Sequence, residues 1–306
     1  MFGADLGVQV AAGGGGGAGF ALFAGGFAAV RLDSTEKYTY STDAVAGGTS
    51  LPAARNGMGV AGNSTVGVFA GGLAPTVVAT TVKYTYAGDA VTTGGALGTA
   101  RSALAGAGTS TLGVFVGGQI SGGAAQTLAE IYTYAGDSVV SGTSLTTARY
   151  SLAAAGNSTV AVFGAGFNSS NAAIATTERY TYSGNTVAAG TSLSTARSNA
   201  SAAGTASVGI FAAGRDSSAV DLATAEKYTY ASNTVAAATS LGTARTFTGA
   251  AGDSAVGIFA GGLSSAETAM TATDKYTYTG DVRATGSNLA TGRRGAVGVS
   301  STPGGF

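Results

Sequence analysis

The chain has 306 residues, of which 52 are glycine, and only 10% carry charge, against roughly 25% in an ordinary soluble domain. Its 15 basic and 15 acidic residues cancel, so no net field exists to recruit nucleic acid or an anionic membrane. Without cysteine or histidine it cannot build disulfides, thiolate or imidazole metal sites, or Ser-His and Cys-His nucleophiles; neither an enzyme nor a cofactor-bearing protein is expected.

The chain opens on a glycine-rich lead-in, residues 1–18, with no charge between Asp5 and Arg31. Its many glycines and scattered bulky residues do not make a membrane span. No basic segment precedes the apolar run, so a secretory signal is not expected either. Gly14, Gly16 and Gly19 satisfy G-x-G-x-x-G, but no Lys-Ser/Thr follows and nothing predicts a helix after them, so a phosphate loop is not expected.

From residue 19 onward one unit recurs to the end, which predicts a single domain over 19–306. Tyrosine pairs stand at Tyr38/Tyr40, Tyr84/Tyr86, Tyr132/Tyr134, Tyr180/Tyr182, Tyr228/Tyr230 and Tyr276/Tyr278, 46 or 48 residues apart. Phe23, Phe69, Phe115, Phe163, Phe211 and Phe259, each followed by small residues, keep the same spacing. So do Arg55, Arg101, Arg149, Arg197, Arg245 and Arg293, each after a Leu-x-x-Ala/Gly link. A period of this length indicates a solenoid or propeller blades.

In the fourth unit the pattern predicts four short strands. Residues 151–155 form the first, followed by a Gly156-Asn157-Ser158 turn, and residues 160–163 form the second, closed by Gly164-Ala165-Gly166. After a variable loop come residues 178–182 and 186–189. The turn between these last two carries Asp43, Asp89, Asp137, Asn185, Asn233 or Asp281, residue types that tolerate the left-handed conformation. Helix signals are missing throughout. The last segment, residues 293–300, copies a first strand with no second behind it, while the first unit lacks a first strand. We therefore expect residues 293–300 to close the first blade; residues 6–12 compete for that place, and if they win, the C-terminal strand would pair elsewhere, as in a homo-oligomer.

An all-β, six-bladed propeller with four antiparallel strands per blade follows from these elements. The chain resembles the kelch repeat family: Arg101 opening strand one, Phe115 with Gly117 and Gly118 closing strand two, and Glu130 beside Tyr132 on strand three stand at that family's places. It departs from the family in lacking the tryptophan of strand four, where Val187, Ala188 and Ala189 stand, so closer sheet packing is expected.

Two readings attach to the arginines. Gathered at one mouth of the channel, Arg55, Arg101, Arg149, Arg197, Arg245 and Arg293 would suit a carboxylate or a sulfated or sialylated sugar. Alternatively they pair with Glu36, Glu130, Glu178, Glu226 and Asp274, with Val82 the exception. The tyrosine pairs read chiefly as packing between blades, with a stacking platform as the other reading. Lys37, Lys83, Arg179, Lys227 and Lys275 are expected to cover the blade surface with their stems. The strand 2–3 loops vary most and share a face with the arginine links, which makes that face the expected recognition surface. Phe167, Asn168, Arg215, Asp216 and Asp221 are its most distinctive residues. Highly regular Ala/Gly/Thr-rich repeats of this style resemble those of phage virion and bacterial surface proteins. That resemblance implies a non-enzymatic propeller in a virion or at the cell surface, bound to structural proteins or surface glycans. A carbohydrate-active propeller similar to sialic acid epimerase or galactose oxidase-like proteins is the other reading, its copper chemistry excluded by the missing histidine and cysteine.

Overall fold

A computed structural model describes residues 19–304, which form a six-bladed β-propeller: six four-stranded antiparallel sheets arranged around an axis. No helix occurs among the described residues. In the fourth blade the strands are Ala153–Gly156, Val160–Gly164, Thr177–Thr181 and Thr186–Ala189, paired in chain order from the axis outward. Two short ladders, Arg149–Tyr150 with Phe167–Asn168 and Arg197–Ser198 with Arg215–Asp216, were not anticipated. They fasten two of the long loops to the links beside them.

Burial follows strand position. The second strand is buried at every residue, as in Val160–Gly164, or at all but its first, as in Leu112–Val116, because sheets of neighbouring blades cover both of its faces. The third alternates more, and the fourth, as at Thr186–Ala189, is mostly exposed. The closing strand is Val297–Ser300, paired innermost in the first blade with Phe20–Ala24 in the register Leu22↔Val299. Residues 293–300 thus seal the ring as expected, while the competing stretch 6–12 and the lead-in 1–18 lie outside the described residues.

Tyrosines are the mortar between blades. Tyr180 is 1% exposed, and a Cβ added at Gly142 of the preceding blade would lie 2.7 Å from its hydroxyl. Glycine ends that fourth strand because the next blade's phenol needs the space. Of the second tyrosines, Tyr40, Tyr134 and Tyr230 are buried as well, and Tyr86, Tyr182 and Tyr278 are half-buried. Desolvation holds their phenols far above the ordinary value, so they stay neutral. Both sets therefore serve packing. Without a tryptophan on strand four, Val187 fills that place and packs on the cluster around Phe163 and Tyr180.

The hairpin residues do more than turn the chain. Asp43, Asp89, Asp137, Asn185, Asn233 and Asp281 all adopt left-handed φ of 47–56°. Four fourth-strand ends, those carrying Thr49, Thr143, Thr191 and Thr239, are then clasped across the blade boundary, as where Thr143 N donates to Asn185 Oδ1 at 2.8 Å and Thr143 Oγ1 donates to Asn185 O. Lysine stems alone do not describe the surface: Lys37, Lys83 and Lys275 reach the next blade's Asp89, Asp137 and Asp43 at 2.8, 2.8 and 2.6 Å. Where the turn residue is Asn185 the preceding blade offers Ile131 instead of a lysine.

The bond from Lys83 holds the Asp137 carboxyl below its usual range, and Lys275 does the same for Asp43. A carboxyl depressed in the folded state contributes stability that is complete above its unfolded value of about 4 and fades as pH falls through the folded one. Lys83→Met is therefore expected to lower stability at neutral pH by no more than about 1 kcal/mol, since the pair is partly exposed. Thermal melts of variant and wild type should converge as the pH drops below about 4.

Candidate functional site

Each blade is entered through the link Leu-x-x-Ala/Gly-Arg, and the arginine settles where the link goes. The six arginines do not gather at the channel mouth; all are buried, from 0% to 5% exposed, beneath the loop face. Nη2 of Arg149 meets Glu178 Oε1 at 2.9 Å, Arg197 meets Glu226 at 2.8 Å and Arg245 meets Asp274 at 2.7 Å. Arg101 pairs with Glu130 at 2.5 Å, and Arg293 pairs with Glu36. In Arg149, Nη1 meanwhile donates to the loop carbonyls of Ala165 and Thr176. Burial draws the guanidinium below its ordinary value, and the carboxylate beside it opposes that shift.

The carboxylates have a second task. Glu178 accepts from Thr146 N at 2.6 Å, Glu226 from Ser194 N at 2.6 Å, and Asp274 from Gly242 N at 3.1 Å, all at the residue after the link's leucine. Blade two departs from this twice. Val82 replaces the acid, and Pro52, which has no N–H, replaces the donor. Arg55 keeps only its Nη1 bonds to Gly71 O, Thr80 O and Thr80 Oγ1. Burial again lowers its guanidinium, with no carboxylate to offset the effect.

Two residues past each arginine the chain turns into the inner strand. Gly57, Ala103, Ser151, Asn199, Phe247 and Gly295 all sit there with φ between 51° and 64°. Their backbones form a closed hydrogen-bonded ring about the axis. Ala103 N donates to Gly57 O at 2.7 Å, Ser151 to Ala103 at 2.8 Å, Asn199 to Ser151 at 2.9 Å and Phe247 to Asn199 at 3.0 Å. Gly295 N donates to Phe247 O at 2.8 Å, and Gly57 N to Gly295 O closes the cycle at 3.4 Å. Inside it the channel mouth is a cavity of about 270 Å³ walled by Met58, Leu104, Leu152 and Thr248. It narrows to about 140 Å³ among small side chains such as Ala105 and Ala153. At the far end Pro303 and Gly304 lie against the channel, Gly304 N bonding Gly252 O at 3.3 Å.

Around the ring, the residue after each arginine bridges to the start of a strand 2–3 loop: Asn56 to Leu73, Ser102 to Gln119, Tyr150 to Phe167, Ser198 to Arg215, Thr246 to Leu263 and Arg294 to Phe27. These pairs form the rim of a funnel. Phe167 stacks on Tyr150 with centroids 5.2 Å apart. Arg215 pairs with Asp221 at 2.7 Å and Glu267 at 3.5 Å, which holds the Arg215 guanidinium above its ordinary value. Asn168 and Asp216 accept their own loops' N–H groups, from Ser170 and Ser218, and the Asp221 side chain is 3% exposed. Of the sequence-derived candidates, then, Phe167 and Arg215 stand on the rim, while Asn168, Asp216 and Asp221 shape the loops under it.

Sequence reasoning missed Phe27, Arg31, Asn56, Tyr150, Phe247 and Arg294. A signal was available: the two positions after each arginine read Asn-Gly, Ser-Ala, Tyr-Ser, Ser-Asn, Thr-Phe and Arg-Gly between flanks that barely change. Position-specific variation on a constant frame marks residues freed from the blade plan; Asn56, Ser102, Tyr150 and Arg294 are half-buried there, while Ser198 and Thr246 are buried. In comparisons with protein-family models and with curated proteins, nothing matches the chain.

Proposed function

We propose that this propeller is a non-enzymatic recognition scaffold, part of a larger assembly, that docks a protein or glycan partner on the funnel rim. The observation that carries this reading is the contrast between six nearly identical frames and six different residue pairs at one rim. A rigid scaffold with variable loops is how binding surfaces are commonly built. The kelch-like anchors and the Ala/Gly/Thr-rich style, which resembles repeats of phage virion and bacterial surface proteins, support placing the assembly in a virion or on a cell surface.

A photo-crosslinking residue at the exposed loop positions Ser121 and Ser217, compared with one at the opposite-face turns Ser64 and Ser158, tests the proposal in the native assembly. Partner adducts are expected from the first two positions. Adducts confined to the opposite face, or turnover of a sugar by the purified protein, would overturn it.

A further inference from the structure

The rim is not uniform. Where the first, second and sixth blades meet, it encloses a pocket of about 330 Å³ walled by Phe27, Arg31, Asn56, Leu73, Phe247 and Arg294. That volume lies at the small end of the range for ligand sites. Two guanidinium groups face it, and neither is satisfied as the buried arginines are. Arg31 donates from Nε to the neutral Oδ1 of Asn56 at 3.2 Å and has no ion pair among the described residues. Arg294 lies 5.1 Å from the Phe27 ring centroid, and its one carboxylate contact among the described residues is Glu267 at 3.9 Å. Glu267 is itself 64% exposed and shared with Arg215.

Backbone strain marks the same place. Phe247 holds φ at +57°, a conformation in which a bulky side chain is an outlier. The five equivalent residues are Gly57, Ala103, Ser151, Asn199 and Gly295, so the turn does not call for an aromatic ring. Strain of this kind collects at ligand sites, where something other than folding keeps it.

We propose that this pocket binds a carboxylate carried on a ring with an apolar face. The carboxylate sits between Arg31 and Arg294, whose forked N–H groups match its two oxygens. The ring packs on Phe27 and Phe247. Asn56 keeps Arg31 aimed inward, and Glu267 occupies the outer side of Arg294 until the ligand arrives. The proposal rests on the rim being a recognition surface and names what one sector of it takes.

Titration calorimetry of the purified protein with benzoate and glucuronate, against benzyl alcohol and glucose, tests it. At least one acid is expected to bind, its neutral analogue weaker by about tenfold or more. Whichever acid binds identifies the ring as aromatic or sugar. Arg294→Gln should weaken binding by about tenfold, and added salt should weaken it further. Phe247→Gly should weaken binding yet raise the unfolding midpoint, because glycine accepts the left-handed turn without strain. A merely structural phenylalanine would not show that opposition. No acid binding, equal binding of acid and neutral analogue, or binding indifferent to Arg31→Gln and Arg294→Gln together would overturn the proposal. Cross-links from Ser121 and Ser217 are read separately: if they persist while no acid binds, the ligand falls and the recognition surface stands.

Discussion

Replacing Glu178 with leucine is expected to cost about 3–5 kcal/mol, among the largest effects any single substitution in this chain can produce. Arg149 would be left with its charge buried and unpaired, and Thr146 N and Thr147 N would lose their acceptor. The double variant Arg149→Met with Glu178→Leu should recover much of that loss, since removing both members of a buried pair is far milder than removing one. Blade two predicts the shape of the comparison. Arg55 faces Val82 and meets no carboxylate, so Arg55→Met breaks only the guanidinium's bonds to the neutral acceptors of Gly71 and Thr80. Its expected cost is about 1–2 kcal/mol. Chemical denaturation of the three variants measures all of this; a Glu178→Leu protein no weaker than Arg55→Met would mean that the buried pairs do not hold the links.

A chain ending at Ala296 is expected to lose its cooperative unfolding transition. Val297–Ser300 is the innermost strand of the first blade, and without it the apolar strand Phe20–Ala24 becomes an edge. Such an edge recruits other chains, so size-exclusion chromatography should show aggregates. The latch is reinforced by side chains, with Tyr40 donating to Ser300 Oγ at 2.9 Å and Tyr86 to Ser300 O at 3.1 Å. Phe20 N donates to Ser301 Oγ at 2.9 Å. The other five inner strands end at Gly62, Gly108, Gly156, Gly204 and Gly252, so the serine belongs to the joint and not to the blade plan. A peptide of residues 293–304 added in trans should restore the transition. A truncated protein that melts cooperatively at the wild-type midpoint would show that the ring needs no latch.

Much of this was legible beforehand. Strand order, closure by the C-terminal segment, the left-handed Asp and Asn turns and the Arg–Glu pairs follow from local pattern and period, because each depends on residues that recur in every unit. Tyr180 and Gly142 could be matched only once two blades stood side by side. The same holds for Lys83 with Asp137 and for the amide ring: these contacts join equivalent positions of neighbouring units, and the spacing of a repeat does not say which atoms face across the gap. The rim escaped for a different reason. Attention to what repeats singled out the six arginines, which serve the frame, and passed over Tyr150, Phe247 and Arg294, where the repeat is broken.

The ring of amides has no first or last member, and a hoop under tension parts at its weakest joint wherever its ends happen to be fastened. Here the longest of its six bonds, Gly57 to Gly295 at 3.4 Å, lies between blades one and two. That is also the joint where Pro52 and Val82 have removed both halves of the carboxylate clasp. The seam where the last strand meets the first lies inside blade one, stitched by Ser300. The molecule's seam and the loosest joint of its amide ring are thus different places, one blade wall apart, and the rim pocket straddles the second of them.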